Sequence, residues 1–194
     1  MPLIALDAAW QITEFDDTLK QTARRMFDLM YAANGVGLAA PQVGINKRLM
    51  VYNEFGDSKK WVSEVVLVNP RIIDRSTGTS TELEACLSFP DMQGDVTRVN
   101  WIKVSPGSPR PDVRVACAHL LPVDRHTCGQ VEARNLKGKP FKKKYTGFEA
   151  RIFQHEYDHL DGVVYIDHLN DADMELVQPK LDELQENFNK ETEA

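Results

Sequence analysis

The sequence predicts an α+β domain in which mixed or antiparallel strands pack around a central helix, with a further helix at the C-terminus. Three observations predict this class: apolar residues at helical spacing in three segments, short apolar runs bounded by turn residues, and no regular alternation of the two. The chain has 194 residues, of which 42% are hydrophobic. That is enough to bury one core, so we expect a single domain over residues 1–194.

The spacing of apolar residues predicts three helices. The first covers Phe15–Ala33, and the second covers Phe148–Leu160 and ends before Gly162. The third lies within residues 171–190, where leucines recur at helical spacing and Pro179 stands near the start or at a break. The second helix lies between strand segments, so we expect it to occupy the centre of the fold.

Five short apolar runs predict strands, and the segments between them predict loops. Asp74–Thr81 reads as a polar loop, and the glycine-rich segment Gly35–Gly44 has too many small residues for an ordinary core strand. The expected strands are Leu49–Asn53, Val65–Pro70, Val99–Val104, Lys139–Tyr145 and Val163–Ile166.

Composition limits the classes of function. The formal net charge of −6 argues against a nucleic-acid footprint, which normally shows as a basic surface. No apolar run reaches the roughly 18 to 20 residues that span a bilayer, and the first residues are not built like a signal peptide. Three cysteines cannot all pair with one another, which favours a reducing compartment.

The heptapeptide QHEYDHL, at residues 154–160, carries the strongest chemical signal. His155 and His159 lie four residues apart, so both can present a ring nitrogen to one metal ion from the same face of a helix. Glu156 stands beside them and can act on a water molecule without being a ligand. The alternative interpretation is a solvated helix turn that contains two histidines by chance.

A catalytic metal of this kind needs a third protein ligand. The candidates are Cys86, His168, Glu82 and Glu84. Cys86 lies between acidic residues and an apolar run, although a cysteine in that setting can also be a buried structural residue. His168 directly follows an expected strand, where a surface or hydrogen-bonding role is the simpler interpretation.

The glycine-rich segment Gly35–Gly44, with sequence GVGLAAPQVG, is the third unusual feature. Its glycines allow the backbone to approach a ligand closely, and Gln42 offers an amide donor. The segment lacks the Lys-Ser/Thr pair of a phosphate-binding loop and the glycine spacing of a dinucleotide fold. Nucleotide binding is therefore not expected.

These three segments, in this order, resemble the motifs of the peptide deformylase family. The chain has GVGLAAPQ at residues 35–42, EACLS at residues 84–88 and QHEYDHL at residues 154–160. The resemblance extends from about Phe15 to Leu169, and it implies the metal ligands Cys86, His155 and His159. In this family the ion is natively Fe²⁺, and Zn²⁺ can replace it.

The resemblance also implies the remaining site. Glu156 would serve as general base and acid, and an oxyanion would be stabilised by the Gln42 side chain and the Leu87 backbone N–H. The methionine pocket of the substrate would be formed by Val36, Gly37, Glu84, Phe148 and Ile152.

The activity implied by the resemblance is hydrolysis of the N-formyl group from the initiator methionine of nascent polypeptides, with release of formate. The partner would be the nascent chain at the ribosome, without a nucleic-acid or membrane partner. The location would be a plastid or mitochondrion in a eukaryote and the cytoplasm in a bacterium. Two alternatives stay open: a zincin-type metallopeptidase, and a catalytically weak deformylase-like binding protein.

Two features depart from the family pattern. Ala85 stands where the family has glycine, and it would be strained if that position had a positive φ. Residues 105–130 form an irregular insertion that holds Cys117, Cys128, His119 and His126, none of which is expected to bind the catalytic metal. The insertion is either a retained intron of a eukaryotic gene or a surface loop specific to one lineage.

Overall fold

The computed structural model describes residues 9–106 and 133–192, in which three α-helices and ten strands are found. The helices are α1 (Asp17–Ala32), α2 (Gly147–Leu160) and α3 (Asp171–Thr192). The strands are β1 (Gly37–Ala39), β2 (Leu49–Tyr52), β3 (Val65–Val68), β4 (Pro70–Arg75), β5 (Thr79–Cys86), β6 (Phe89–Val99), β7 (Trp101–Pro106), β8 (Ala133–Arg134), β9 (Pro140–Phe141) and β10 (Lys143–Thr146).

The strands form three antiparallel sheets, with orders β1-β2-β3-β8-β9, β10-β7-β4 and β5-β6. The one parallel pairing in the described part of the chain is an isolated bridge between Trp10 and Lys47. The predicted α+β class, with a central helix and a C-terminal helix, is confirmed. No helix among the described residues is long and apolar enough to cross a membrane.

Helix α2 lies at the centre because it has apolar residues on more than one face. Ala150, Phe153 and Leu160 are buried in one core with residues of β2, β7 and β10. The Phe153 ring stacks on Tyr145 of β10 and on Tyr157, at centroid distances of 5.1 and 5.6 Å. Burying each large side chain of this kind contributes roughly 1.5 to 3 kcal/mol, so the position of α2 is strongly determined.

The hairpin β5–β6 is held over α2 by a second core. Phe89, Met92 and Val96 of β6 are buried against Tyr165 and Val177. The Phe89 and Tyr165 rings meet edge to face at 5.8 Å. This packing fixes the end of β5, where Cys86 lies.

Helix α1 precedes the glycine-rich segment and positions it near the end of β5. It begins with Asp16, whose side chain caps the N–H of Leu19, and its apolar face packs on β2 and β3. After α1 the chain turns through Asn34 at a φ of 56° and enters β1. A short 3-10 helix, Ala40–Val43, follows β1 directly and carries Gln42.

Several secondary-structure expectations differ from the structure. The glycine-rich segment, which was not expected to hold an ordinary core strand, contains the short buried strand β1. Val163–Ile166 is not a strand, because the chain forms a 3-10 helix at Tyr165–His168 that buries Tyr165 alone. The expected loop Asp74–Thr81 shrinks to residues 76–78, since β4 and β5 extend into it. The eleven-residue strand β6 was not expected, because Pro90 and Gly94 interrupt its pattern. The expected strand Lys139–Tyr145 is divided at residue 142.

The expected insertion at residues 105–130 lies almost wholly outside the described residues. The described chain leaves β7 at Pro106 and resumes at β8 with Ala133. The predictions for the cysteines and histidines of this segment therefore stay predictions.

Candidate metal centre and active site

A cleft of about 850 Å³ separates β1 and the end of α1 from the hairpin β5–β6, with α2 at its base. All five residues expected in the substrate pocket line this cleft: Val36, Gly37, Glu84, Phe148 and Ile152. Ile152 is buried, whereas the Phe148 side chain is 53% exposed at the first turn of α2. The three sequence motifs, far apart along the chain, thus meet in one cavity.

Cys86, His155 and His159 form a cluster at the inner end of the cleft. One donor atom from each lies within 4.8 Å of the others, and the Cys86 sulphur is 3.3 Å from His159 Nε2. Cys86 and His159 are buried, and Cys86 is a free thiol. A thiolate and two imidazoles form the three-ligand set of a catalytic zinc or iron site.

The two imidazoles differ in protonation, so His159 can bind an ion as it stands, whereas His155 must first lose a proton. Burial, followed by the charge of His155, lowers the pKa of His159 to about 3, so its ring is neutral and can donate a lone pair. Although burial opposes it, hydrogen bonding to Cys86 and Glu84 raises the pKa of His155 to about 10. An ion bound here must displace that proton, which couples metal binding to pH.

The Glu156 carboxylate lies beside the cluster and faces β1. Its Oε2 atom is buried without a hydrogen-bond partner in the described structure. Burial raises the pKa of Glu156 to about 7, despite the opposing charge of His155. A Cβ atom at Gly37 would overlap this carboxylate, so the glycine makes room for it. A carboxyl group of this kind can accept and return a proton near neutral pH.

The Gln42 amide reaches the cluster from the opposite wall. Its Oε1 accepts the Ala39 N–H at 2.7 Å, which turns Nε2 toward Cys86 and Ser88, at 3.5 and 3.1 Å. Leu87 follows Cys86 in the turn between β5 and β6 and lines the cleft. Both expected oxyanion donors therefore lie next to the cluster.

Glu84 lines the cleft, but its carboxylate is fully occupied by protein groups. Oε1 accepts from Arg98 Nε at 2.8 Å and Arg151 Nη1 at 2.7 Å. Oε2 accepts from Arg98 Nη2 at 2.9 Å and lies 3.0 Å from His155 Nδ1. These four donor atoms, which belong to three residues, occupy the roughly four lone-pair sites of the carboxylate. Glu84 thus orients His155 so that its other nitrogen, Nε2, faces the cluster.

The arginines of this network are functional residues that the sequence analysis missed. Arg98 is buried and also donates from Nη1 to Asp158 at 2.6 Å. In the structure, residues 92, 94, 96 and 98 of β6 alternate as the buried face, but Gly94 and Arg98 are not apolar, so the sequence pattern did not mark Arg98 as an inward residue. An arginine at the fourth inward position requires a buried counter-ion. Despite burial, which disfavours ionisation, Arg98 and His155 lower the pKa of Glu84 to about 2.

The other candidates for third ligand lie outside the cluster. His168 Nε2 is 2.9 Å from Asp158, on the outer side of α2. Glu82 pairs with Arg151 at 3.1 Å, and its side chain is 55% exposed. Among the described residues, only Cys86 completes a three-ligand group with the two histidines.

The expected strain at Ala85 is absent. The non-glycine residues with positive φ in the described chain are Asn34, Asn69 and Asp91. Ala85 is exposed in β5 and pairs with Gln93 of β6. Extended backbone at this position accepts alanine without penalty.

Comparisons with known proteins identify the family of this chain. The family model described as polypeptide deformylase matches residues 5–107 and 118–175. Peptide deformylase 1 of Bacillus subtilis is 42% identical over 154 residues, which cover 79% of this chain and 76% of that protein. A crystal structure of peptide deformylase from Plasmodium falciparum has a TM-score of 0.80 and 34% identity, covering 96% of this chain and 93% of that one.

Plant relatives are longer than this chain. Chloroplastic peptide deformylase 1B of Solanum lycopersicum is 35% identical over 182 residues, which cover 94% of this chain and 55% of that protein. The chain therefore spans little more than half the length of this relative.

Proposed function

Because the chain belongs to the polypeptide deformylase family, we propose that it hydrolyses the N-formyl group from the initiator methionine of nascent polypeptides and releases formate. The observation that carries the proposal is the cluster of Cys86, His155 and His159 with the buried Glu156 beside it, at the inner end of an open cleft.

Cys86, His155 and His159 would hold one divalent ion, and we propose Fe²⁺ as the native ion with Zn²⁺ as a substitute. The donor set fits both, because imidazole and thiolate are ligands that iron and zinc accept. Such an ion supplies a Lewis acid, which makes a water molecule nucleophilic near neutral pH.

Glu156 is the residue that moves protons. Its raised pKa, to about 7 through burial, lets the carboxylate take a proton from the attacking water and return it to the departing amine. Its free Oε2 is the acceptor for this step. Glu156 does not need to bind the ion for this role.

Gln42 and Leu87 would stabilise the negative charge that develops on the formyl oxygen. Gln42 Nε2 is held at the cluster by the Ala39 N–H bond to Oε1, so its dipole is already oriented before substrate binds. A preorganised donor of this kind contributes roughly 2.7 to 4 kcal/mol to the transition state.

The substrate methionine would lie over α2, against Ile152 and the ring of Phe148. Val36 and Gly37 border the cleft at β1, whose other edge is paired with β2 in the described structure. A peptide can therefore add to β1 as an extra strand. Glu84 borders the same cavity, and its bonds to arginine and histidine support a role in holding His155 in addition to lining the pocket.

The physiological substrate would be the formylated nascent chain at the ribosome. We propose a plastid or a mitochondrion as the location if the source is a eukaryote, and the cytoplasm if it is a bacterium. The first is supported by the chloroplastic designation of the Solanum lycopersicum relative.

The test is release of formate from a formyl-Met-Ala-Ser peptide by the Fe²⁺-loaded and the Zn²⁺-loaded protein. We expect turnover that requires the ion and is lost in Cys86→Ala. Cleavage of internal peptide bonds without formate release would instead identify a zincin-type peptidase. Peptide binding without any turnover would identify a deformylase-like binding protein.

The single domain, with its insertion at residues 105–130, is also a proposal. The family match is interrupted at residues 108–117, which supports an addition to the family fold. Removing residues 104–130 joins Lys103 to Val131 and leaves a sequence that follows the family pattern. A deletion variant that folds and deformylates, or a transcript without these codons, would support the proposal. A deletion variant that cannot fold would show that the segment belongs to the domain.

A further inference from the structure

Residues 134–146 are a cation-rich segment in an otherwise acidic chain. The segment contains Arg134 and five lysines without a single Asp or Glu, whereas the whole chain has a formal net charge of −6. The lysines are Lys137, Lys139, Lys142, Lys143 and Lys144, and all are exposed. Net charge alone therefore conceals a local basic surface.

The structure extends this surface onto the neighbouring strand. Lys144 of β10 lies directly opposite Lys103 of β7 in the antiparallel register. Two like charges in that position repel each other. The ring of Trp101 offsets part of this repulsion, since Lys144 Nζ and Lys103 Nζ lie 4.2 and 5.3 Å from its centroid. We call Trp101, Lys103, Lys142 and Lys144 the basic face.

Protein carboxylates neutralise only part of this charge. Lys103 pairs with Asp74 at 2.7 Å, and Lys143 with Glu149 at 2.6 Å. In the described part of the chain, Lys142 and Lys144 have no carboxylate partner within ion-pair distance. The unmatched positive charge thus lies beside an aromatic ring.

We propose that the basic face binds single-stranded RNA, with lysines on the phosphates and a base on the Trp101 ring, from which the exposed Lys144 side chain swings away to reach a phosphate. Lys142 lies just before β10 and Lys144 within it, and both are exposed, so two ammonium groups close together in the chain are available to phosphates. Aromatic rings between cations are the stacking platforms of single-strand binders. Trp101 is the one apolar side chain of the basic face, and its ring lies against two lysines, which favours stacking between cations over insertion into a bilayer.

The experiment measures fluorescence anisotropy of a labelled twelve-nucleotide single-stranded RNA at several salt concentrations. We expect the full chain to bind, and Lys142→Glu with Lys144→Glu to weaken binding at least tenfold. Loss of two phosphate contacts should also reduce the slope of log affinity against log salt by about 1.4. The matched control is Lys180→Glu with Lys190→Glu on α3, which changes the net charge equally and should bind like the parent.

Trp101→Ala separates stacking from charge. It should weaken binding about fivefold or more, with an unchanged salt slope, whereas Trp61→Ala, which removes another exposed tryptophan, should have no effect. Thermal melting of each variant, followed by circular dichroism, checks that it is folded.

The proposal is overturned if the parent does not bind the RNA, or if the α3 control weakens binding as much as the β10 variant. Binding to vesicles of anionic phospholipid but not to RNA would also overturn it, in favour of a membrane surface. Because RNA binding is measured without turnover, either result leaves the proposed hydrolysis untouched.

Discussion

Replacing Glu84 with glutamine tests whether this buried carboxylate supports the candidate metal-binding group of Cys86, His155 and His159. The substitution keeps the shape of the side chain but removes its charge and one of its two acceptor oxygens. His155 Nδ1, Arg98 and Arg151 all depend on those oxygens, at distances from 2.7 to 3.0 Å. An amide cannot satisfy all of these donors.

Two magnitudes follow from this geometry. Loss of an outer partner of a metal-binding histidine typically lowers metal affinity 10- to 100-fold, or about 1.4 to 2.7 kcal/mol. Removing one partner of a buried ion pair costs roughly 3 to 5 kcal/mol of folding stability when the other charge is left without a partner. Arg98 keeps its ion pair with Asp158 at 2.6 Å, so we expect a loss near the lower end of this range. Glu84 and Arg98 side chains are each 5% exposed, so solvent does not reduce this cost.

The assay is a Zn²⁺ competition titration against a chromophoric chelator, together with urea unfolding of the metal-free protein. Glu82→Gln is the matched control. Glu82 lies two residues away on β5 and also pairs with Arg151, but it is 55% exposed and does not contact His155. We expect Glu84→Gln to lose both affinity and stability, and Glu82→Gln to change each only slightly.

Parental Zn²⁺ affinity in Glu84→Gln would refute the orienting role. If stability alone decreased, the network would be structural, and Glu84 would have no influence on His155 as a ligand. Equal losses in both variants would show that the effect comes from Arg151 rather than from the contact with His155.

Three further substitutions give separate tests. Glu156→Gln should retain the metal content of the parent but lose about 10²- to 10⁴-fold in formate release, because the side chain moves protons and does not hold the ion; loss of metal would contradict this role. Gly37→Ala should lower formate release at least tenfold with the ion still bound, since the new methyl group displaces the Glu156 carboxylate. Unchanged turnover would show that the backbone of β1 shifts away to make room for the methyl group. Ala85→Gly should leave turnover unchanged, because extended backbone does not need glycine. It should reduce the free energy of unfolding by roughly 0.5 to 1 kcal/mol, since glycine loses more conformational freedom on folding. Higher turnover in this variant would show that alanine at this position lowers activity.

The helices α1 and α2 were predictable from the sequence, because a capping or terminating residue marks one end of each and apolar residues mark the buried face. Asp16 caps α1, Gly162 follows α2, and apolar residues recur at helical spacing within each. The strand β6 was not predictable, because its inward positions include Gly94 and Arg98 in place of apolar residues. Gly94 makes room for the Leu169 side chain, and Arg98 is paired with Glu84, and such contacts depend on the tertiary structure.

Part of the candidate site could likewise be predicted from the sequence, and part depends on tertiary contacts. The spacing of His155 and His159 corresponds to one turn of helix, so two candidate ligands could be predicted from the sequence directly. For the third, the residues alone left four candidates, among which the setting of Cys86 was attractive, and the resemblance implied Cys86. The choice rests on the packing of Phe89 and Tyr165, which brings the end of the β5–β6 hairpin onto α2.

Two buried carboxylates next to the cluster have opposite environments, and this difference separates their roles. Glu84 accepts four hydrogen bonds, and its pKa is lowered to about 2 by Arg98 and His155 against the effect of burial, so it stays ionised and holds an imidazole in place. Glu156 has a buried oxygen without a partner, and burial raises its pKa to about 7. A carboxylate whose acceptor sites are all used by protein donors cannot accept a further hydrogen bond from a substrate. A carboxylate with a free oxygen and a pKa near neutral can exchange a proton with the substrate. The sequence motifs contain both residues, but only their hydrogen bonds show which one supports the cluster and which one is free to react.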